Sequence, residues 1–314
     1  MARLDPSDYH VPVMAQECLD ALNLRPGGHY VDATLGGGGH TSLILSSEQR
    51  TASPHDGRLT MTVFDADEVA IARCTERFAD LPPGQLTIVH ANFEEMAEHL
   101  QDRPPVDGVL FDLGVSSFQF DHHARGFSYR MDAPLDMRFT PEGPTAADLL
   151  NTLSEDKIVG IIREFGEDPS AKRLAAAIVR RRMLAPYRTT VDLRDTIVQH
   201  IPPQHHNKTL ARVFQALRIA VNRELERLEH ALESVLPHMA PGGRIVVMSY
   251  HSLEDRIVKD VFKRHSGPNG APPLVKILTK KPVMASDEEV ARNPRARSAR
   301  LRVAEVVGSS EPLA

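Results

Sequence analysis

Four segments rich in apolar and β-branched residues, His29–Thr34, Leu59–Asp65, Gln85–His90 and Val106–Leu113, recur at intervals of about 25 residues. Helix-like stretches such as Glu68–Ala79 and Glu94–Leu100 lie between them. A helix between two strands carries the chain back to the end where the first strand began, so successive strands run parallel. The alternation predicts a parallel sheet with helices on its faces. The polar segment Ser46–Arg58, with Pro54 and Gly57, reads as a loop inserted before the second strand.

The first strand runs into Gly36-Gly37-Gly38-Gly39, followed by His40-Thr41 and an apolar stretch. Glycine lacks a Cβ, so such a turn can adopt positive φ and let the backbone approach a ligand, while the next helix aims its free N–H groups at it. That is how α/β proteins hold nucleotide-like cofactors, although a plain glycine-rich turn has the same sequence. Asp65 ends the second strand, where an acid accepts hydrogen bonds from ribose hydroxyls; alternatively Asp65 and Asp67 only close a strand and open a helix. Phe93, after the third strand, suits either an adenine face or the core. Asp112 closes the fourth strand in Asp112-Leu113-Gly114-Val115-Ser116-Ser117. Ligands of open α/β sheets sit beyond the carboxyl ends of the strands. A carboxylate there can accept an amino group of cofactor or substrate, or it can merely cap the strand.

From Ser116 to about Asn207 the strands stop. Phe118–Gly143 is irregular and combines Phe, Tyr, Met and Arg: Phe120, Phe127 and Tyr129 offer stacking surfaces, and Arg125, Arg130 and Arg138 offer phosphate contacts. Helices are predicted over Ala146–Leu153, Ser154–Phe165, Ala171–Leu184 and Val191–Gln199. Lys208–Leu236 then reads as one long helix, with Leu210, Phe214, Leu217, Val221, Leu225, Leu228, Leu232 and Val235 on a single apolar stripe. Pro241-Gly242-Gly243 turns the chain into a fifth strand, Arg244–Ser249. Ser252 is placed to cap the next helix, and Leu274–Thr279 and Ala299–Val307 read as final strands. The expected architecture is a doubly wound α/β sheet interrupted by a mainly helical insert. Residues 1–115 and 208–314 would form one discontinuous domain, and residues 116–207 the insert.

No run of about 18 apolar residues appears, so no membrane span is expected, and the first residues have no apolar signal core. Cys18 and Cys74 form no C-x-x-C pair, which argues against a disulfide framework or thiolate metal site and fits a reducing cytoplasm. The pairs His122-His123 and His205-His206 lack the i, i+4 spacing of a helical metal site, so no metal is expected. No G-K-[ST] follows the glycines and no G-x-S-x-G surrounds Ser116, which argues against nucleotide triphosphatase and serine-nucleophile chemistry. The net charge of −5 hides an uneven distribution. Arg163–Arg223 holds twelve Lys/Arg against five Asp/Glu, and Arg244–Arg302 thirteen against six. Local charge decides whether a phosphate backbone can dock, so nucleic acid remains a candidate partner.

Six motifs in order resemble one family: Val31–Thr41 around the glycines, Asp112–Ser117, Arg125–Arg138, Phe214–Asn222, Ser249–Arg256 and Asn293–Ser298. Together they resemble the ribosomal RNA small-subunit methyltransferase H family, also called MraW, over His10 to about Val307. The resemblance implies a class I methyltransferase with a Rossmann-like sheet, and S-adenosylmethionine as cofactor. It further implies methylation of the exocyclic N4 of cytidine 1402 (usual bacterial numbering) in 16S ribosomal RNA, free or in the assembled small subunit. Carried over by motif, Gly38, Gly39 and His40 would contact the cofactor, Asp65 the ribose and Phe93 the adenine. Asp112 and Gln119 would complete the pocket, and Asp112 is the candidate catalytic residue. The insert becomes a candidate RNA-recognition domain. Phe118 stands where proline is common in the family, which leaves the backbone before Gln119 less constrained. The residues alone leave rivals open: an NAD-dependent oxidoreductase, a non-catalytic ribosome-assembly factor, or a DNA cytosine methyltransferase. Against the first, the third glycine of G-x-G-x-x-G would fall at Thr41.

Overall fold

Strand alternation in side-chain direction sorts the apolar residues of each predicted strand onto two faces, and both faces are covered. The computed structural model describes residues 12–51, 57–114, 125–267 and 270–307. Its strands are His29–Asp32 (β1), Thr60–Asp65 (β2), Leu86–His90 (β3), Val106–Asp112 (β4), Met239–Ser249 (β5), Val275–Ile277 (β6), Val283–Met284 (β7) and Arg300–Val306 (β8). They join in one sheet of order β3-β2-β1-β4-β5-β8-β6, with β7 also on β8. The pairs from β3 to β5 are parallel, and β8 runs antiparallel to β5. The sheet predicted for the first third is present, and it resumes with β5 beside β4 after the insert. The Pro241-Gly242-Gly243 segment lies within β5, at a register irregularity against Val106–Gly108.

Val31, Val109, Phe111 and Val247 point to one face and pack with Leu228 and Leu232 of Glu224–Val235 (α10) and Val258 and Phe262 of Ser252–His265 (α11). Tyr30, Leu110, Val246 and Met248 point to the other. They meet Cys18 and Leu22 of Ala15–Leu22 (α1), Ile44 of Gly39–Thr51 (α2) and Cys74 of Glu68–Arg77 (α3). The central strands β1, β2, β4 and the latter part of β5 bury both faces, as parallel strands do. Met96–Leu100 (α4) and Asp287–Arg292 (α12) complete the helices around this sheet. Cys18 and Cys74 are buried and free.

The chain divides into two compact units, Met1–Gly114 with Leu225–Ala314, and Val115–Glu224. The second contains Ala146–Thr152 (α5), Glu155–Glu164 (α6), Ala171–Arg182 (α7), Thr190–His200 (α8) and His206–Asn222 (α9) around a core of its own, including Ile162, Leu174, Leu193 and Leu217. The division falls after Glu224, whereas the sequence reading placed it at 207/208. The cause is a break in the helix expected over Lys208–Leu236. Arg223 has φ +50°, which ends α9, and α10 starts at the next residue. Both helices carry the apolar repeat, so periodicity does not reveal a one-residue break.

Asn222 fixes that break. Its Oδ1 accepts the N–H of Phe139, and its Nδ2 donates to the carbonyls of Met137 and Arg218. Asn222→Ala leaves buried backbone groups unpaired, and the expected cost is about 2 kcal/mol or more. Chemical denaturation checks this, and an unchanged midpoint would refute the role.

Several expected RNA contacts prove to be internal. Phe127 is buried and stacks on Phe139 at 5.7 Å, and Tyr129 meets Phe214 edge-on at 5.6 Å. Arg138 grips Asp136 through Nε and Nη2, and Arg125 donates to the Phe139 carbonyl. Arg130 is exposed. Phe118, Gln119 and Phe120 lie outside the described residues. In α11 the capping residue is His251, not Ser252: its Nδ1 accepts from Glu254 N–H, and the Glu254 carboxylate accepts from His251 N–H.

Candidate active site

Two carboxylates brace the glycine turn from below. Asp32, fully buried at the end of β1, accepts the Thr41 hydroxyl at 2.7 Å and the Thr34 N–H at 3.1 Å. Burial raises its pKa, and those hydrogen bonds oppose the shift. Asp65, at the end of β2, accepts the Gly36 N–H on one oxygen and the Asp67 N–H on the other, both at 2.8 Å. Burial, partly offset by these hydrogen bonds, pushes its pKa up to about 6. Asp67 caps α3 by accepting from Val69 N–H. Asp65 thus does close the strand, as its simpler reading held, and it also pins the turn.

The four glycines are not equivalent. Gly36 and Gly38 have φ of +49° and +73°. A Cβ on Gly38 would lie 2.8 Å from Phe78 Cε2, and one on Gly39 2.8 Å from Pro12 Cγ. At Gly37 a Cβ would meet nothing within 4 Å. The turn is therefore packed tightly at Gly38 and Gly39, next to an open position at Gly37.

Asp112 ends β4 beside this turn, and its N–H donates to Thr34 Oγ1 at 2.7 Å. Its Oδ1 accepts the Tyr250 hydroxyl at 2.7 Å, and its Oδ2 lies 3.5 Å from His40 Nε2. Among the described residues that buried nitrogen has no partner in hydrogen-bond geometry. Burial favours a neutral His40 ring, but the carboxylates of Asp112 and Asp32 outweigh it and raise the pKa. Burial, with the charge of Asp112 beside it, holds the Tyr250 hydroxyl far above its ordinary pKa, so it stays a donor. The Glu254 carboxylate accepts Tyr250 N–H at 2.8 Å and fixes its backbone. Gly114, at φ +101°, passes close to the Tyr250 ring.

The structure brings Gly36–His40, Asp65 and Asp112 to the carboxyl ends of adjacent strands. Phe93 stands in the short helix Phe93–Glu95 after β3, half-buried, its ring edge-on to Phe111 at 6.1 Å. Gln119 lies outside the described residues. Sequence reasoning quoted Tyr250 only within a motif. Its signal was positional: it directly follows β5 and stands two residues after Met248, which pairs with Asp112.

The turn, the acid after β2, the acid after β4 and the sheet order define a class I methyltransferase. Two observations fit S-adenosylmethionine here: the buried His40 nitrogen, whose one contact to Asp112 is too long and poorly aligned for a hydrogen bond, and the open position over Gly37. A family model described as the MraW methylase family matches residues 7–307. A protein named ribosomal RNA small subunit methyltransferase H from Geotalea uraniireducens is 48% identical over 317 residues, covering 95% of this chain and 99% of that protein. Proteins of the same name from Citrifermentans bemidjiense and Heliobacterium mobile are 46% and 44% identical over the same shares of both chains. The chain belongs to the MraW methylase family and is an S-adenosylmethionine-dependent methyltransferase.

Proposed function

We propose that the protein methylates the exocyclic N4 of cytidine 1402 in 16S ribosomal RNA, free or within the assembled small subunit, in the cytoplasm. The name shared by its relatives supports the RNA target. The observation that carries the chemistry is the Asp112 carboxylate, oriented by Tyr250 and flanked by His40 beside the glycine turn.

Bound S-adenosylmethionine supplies an electrophilic methyl group on a sulfonium. In this reading Gly38, Gly39 and His40 contact it through the turn, Asp65 accepts from its ribose hydroxyls, and Phe93 flanks the adenine. Asp112 and Gln119 complete the pocket. The N4 lone pair of cytosine is delocalised into the ring, which makes the amine a poor nucleophile. Asp112, or the main-chain carbonyls of Leu113–Gly114, would accept its N–H groups and localise that lone pair toward the methyl group that the cofactor would supply. A carboxylate oxygen carries two lone pairs, so Asp112 Oδ1 retains one while Tyr250 occupies the other. The proton released from N4 passes to Asp112 or onward to water. The rest of catalysis is alignment of donor and acceptor.

The Val115–Glu224 unit supplies an RNA-recognition surface in this reading, with Met1–Gly114 and Leu225–Ala314 as the S-adenosylmethionine-binding domain. Lys172, Arg173, Arg180 and Arg188 are exposed. Arg181 and Arg182 are not available: Arg181 pairs with Asp192, and Arg182 donates to the carbonyls of Leu150 and Leu153. Among the described residues no helix is long and apolar enough to cross a membrane.

The pKa of Asp65 gives a pH test with two signs. Below about 6 the carboxyl is protonated and loses its capacity as a double acceptor, so S-adenosylmethionine affinity falls as pH drops through 6. Its folded pKa lies above the ordinary 3.8, so the folded state binds more protons between 4 and 6. This group therefore favours the fold as pH falls across that window, while cofactor binding weakens. Calorimetric titration and melting across the window check both, and Asp65→Asn flattens both. An affinity independent of pH in the parent protein would refute the ribose role. The RNA target is tested by methylation of small-subunit RNA followed by nucleoside mapping.

A further inference from the structure

The C-terminal half of α11, the edge strand β6 and the end of β8 line a cavity of about 670 Å³. Its floor is apolar: Phe262 and Val275 are buried, Ile277 is half-buried, and Val307 stands partly exposed. Exposed Lys259, Lys263, Lys276 and Lys280 surround it. Lys259 has Asp260 at 3.7 Å, and the other three have no ionic partner among the described residues. Arg302 also lines the cavity but is held by both oxygens of Asp255. No Asp or Glu is among the described lining residues.

Strand register separates the Val307 end of this cavity from the methyl-transfer site, and the strands β5 and β8 lie between β4 and β6. Glu305 pairs with Arg244 near the start of the regular part of β5, whereas Asp112 pairs with Met248 at its far end. Val307, two residues beyond Glu305, therefore lies toward the opposite end of the sheet from Asp112.

The volume is that of a small-ligand site, and such sites combine an apolar lining with a few polar groups. Here every free charged group is a cation. A ligand that uses both features has a flat, weakly polar body and several negative charges spaced along it. An unstacked nucleotide in single-stranded RNA has this form, with its base on the floor and adjacent phosphates at the lysines. A fatty acid would use the floor and one lysine; an acidic peptide would use the lysines and leave the floor bare. We propose that this cavity is a docking site for a single-stranded segment of the RNA substrate, remote from the methylated base. The proposal rests on the reading of the protein as an RNA methyltransferase.

The test is fluorescence anisotropy of the full chain with a short labelled oligouridylate. Lys263→Glu combined with Lys276→Glu weakens binding at least tenfold. It also lowers the salt slope by about 1.4, for two phosphates at about 0.7 each. Val307→Trp adds no charge but fills the mouth, and it weakens binding about fivefold or more. Neither variant changes S-adenosylmethionine affinity. The site is overturned if the double variant binds normally, if Val307→Trp has no effect, or if polyglutamate competes as well as unlabelled oligouridylate. These outcomes are separable from failure of the underlying reading. A parent protein that methylates small-subunit RNA while both variants retain full RNA affinity refutes the cavity alone. A parent protein that binds oligouridylate but methylates no RNA refutes the reading alone.

Discussion

Asp112→Asn is expected to lower kcat for methyl transfer about 100-fold or more, with the fold intact. The substitution preserves shape, and the amide oxygen can still accept the Tyr250 hydroxyl. What it removes is the negative charge and one acceptor at the end of β4, the features argued to act on the N4 amine. Loss of a single preorganised electrostatic group at a reacting centre costs a factor of this order. A second readout belongs to the same variant. Asp112 is a principal cause of the raised His40 pKa, so Asp112→Asn lowers that pKa, which NMR titration reports. Tyr250→Phe removes one hydrogen bond to Asp112 and leaves the carboxylate, so its expected effect is smaller, about tenfold. Should Asp112→Asn weaken S-adenosylmethionine binding but turn over normally at saturation, Asp112 serves the cofactor only. Full turnover with unchanged cofactor affinity would remove it from the site altogether.

Gly38→Ala carries the second large effect. A side chain at φ +73° is strained by about 1 kcal/mol or more, and this Cβ would also lie 2.8 Å from Phe78 Cε2 and 3.1 Å from Cys74 Sγ. Phe78 packs against the core on that face of the sheet, and Cys74 is fully buried in it, so neither yields freely. The turn must shift, and S-adenosylmethionine affinity is expected to fall about 100-fold, near 3 kcal/mol. Gly37→Ala is the control for stability. Its Cβ meets nothing within 4 Å, so the unfolding free energy changes by less than about 1 kcal/mol. Calorimetry and denaturation on the pair separate strain from contact. Unchanged cofactor affinity in Gly38→Ala would contradict the placement of the cofactor on this turn.

The parallel sheet was legible because β-branched runs alternate with helical ones, and because two buried faces leave little choice of register. Val31 and Val109 on one face, with Tyr30 and Leu110 on the other, follow from strand periodicity alone. The strand Val283–Met284 was not legible, since two exposed residues carry no pattern. The break at Arg223 was hidden because the apolar stripe continues through it, and the signal lies instead in the tertiary hydrogen bonds of Asn222. The glycine run announced a turn, but only backbone angles and neighbours distinguish Gly38 from Gly37. At the site, Asp65 and Asp112 could be placed at strand ends, whereas the link from Asp112 to Tyr250 depends on β5 returning beside β4 after the insert. The charge count over Arg163–Arg223 overstated the free basic surface. Arg181 is paired across α7 and α8, and no spacing rule announces that contact.

The most direct test of the account is transfer of labelled methyl from S-adenosylmethionine to small ribosomal subunits taken from cells lacking the protein, with mass mapping of the digested RNA. The account predicts one new methyl group, on N4 of cytidine 1402, which disappears with Asp112→Asn. Methyl transfer to a different nucleotide or to a ring carbon, or the absence of any transfer to small-subunit RNA, would contradict it.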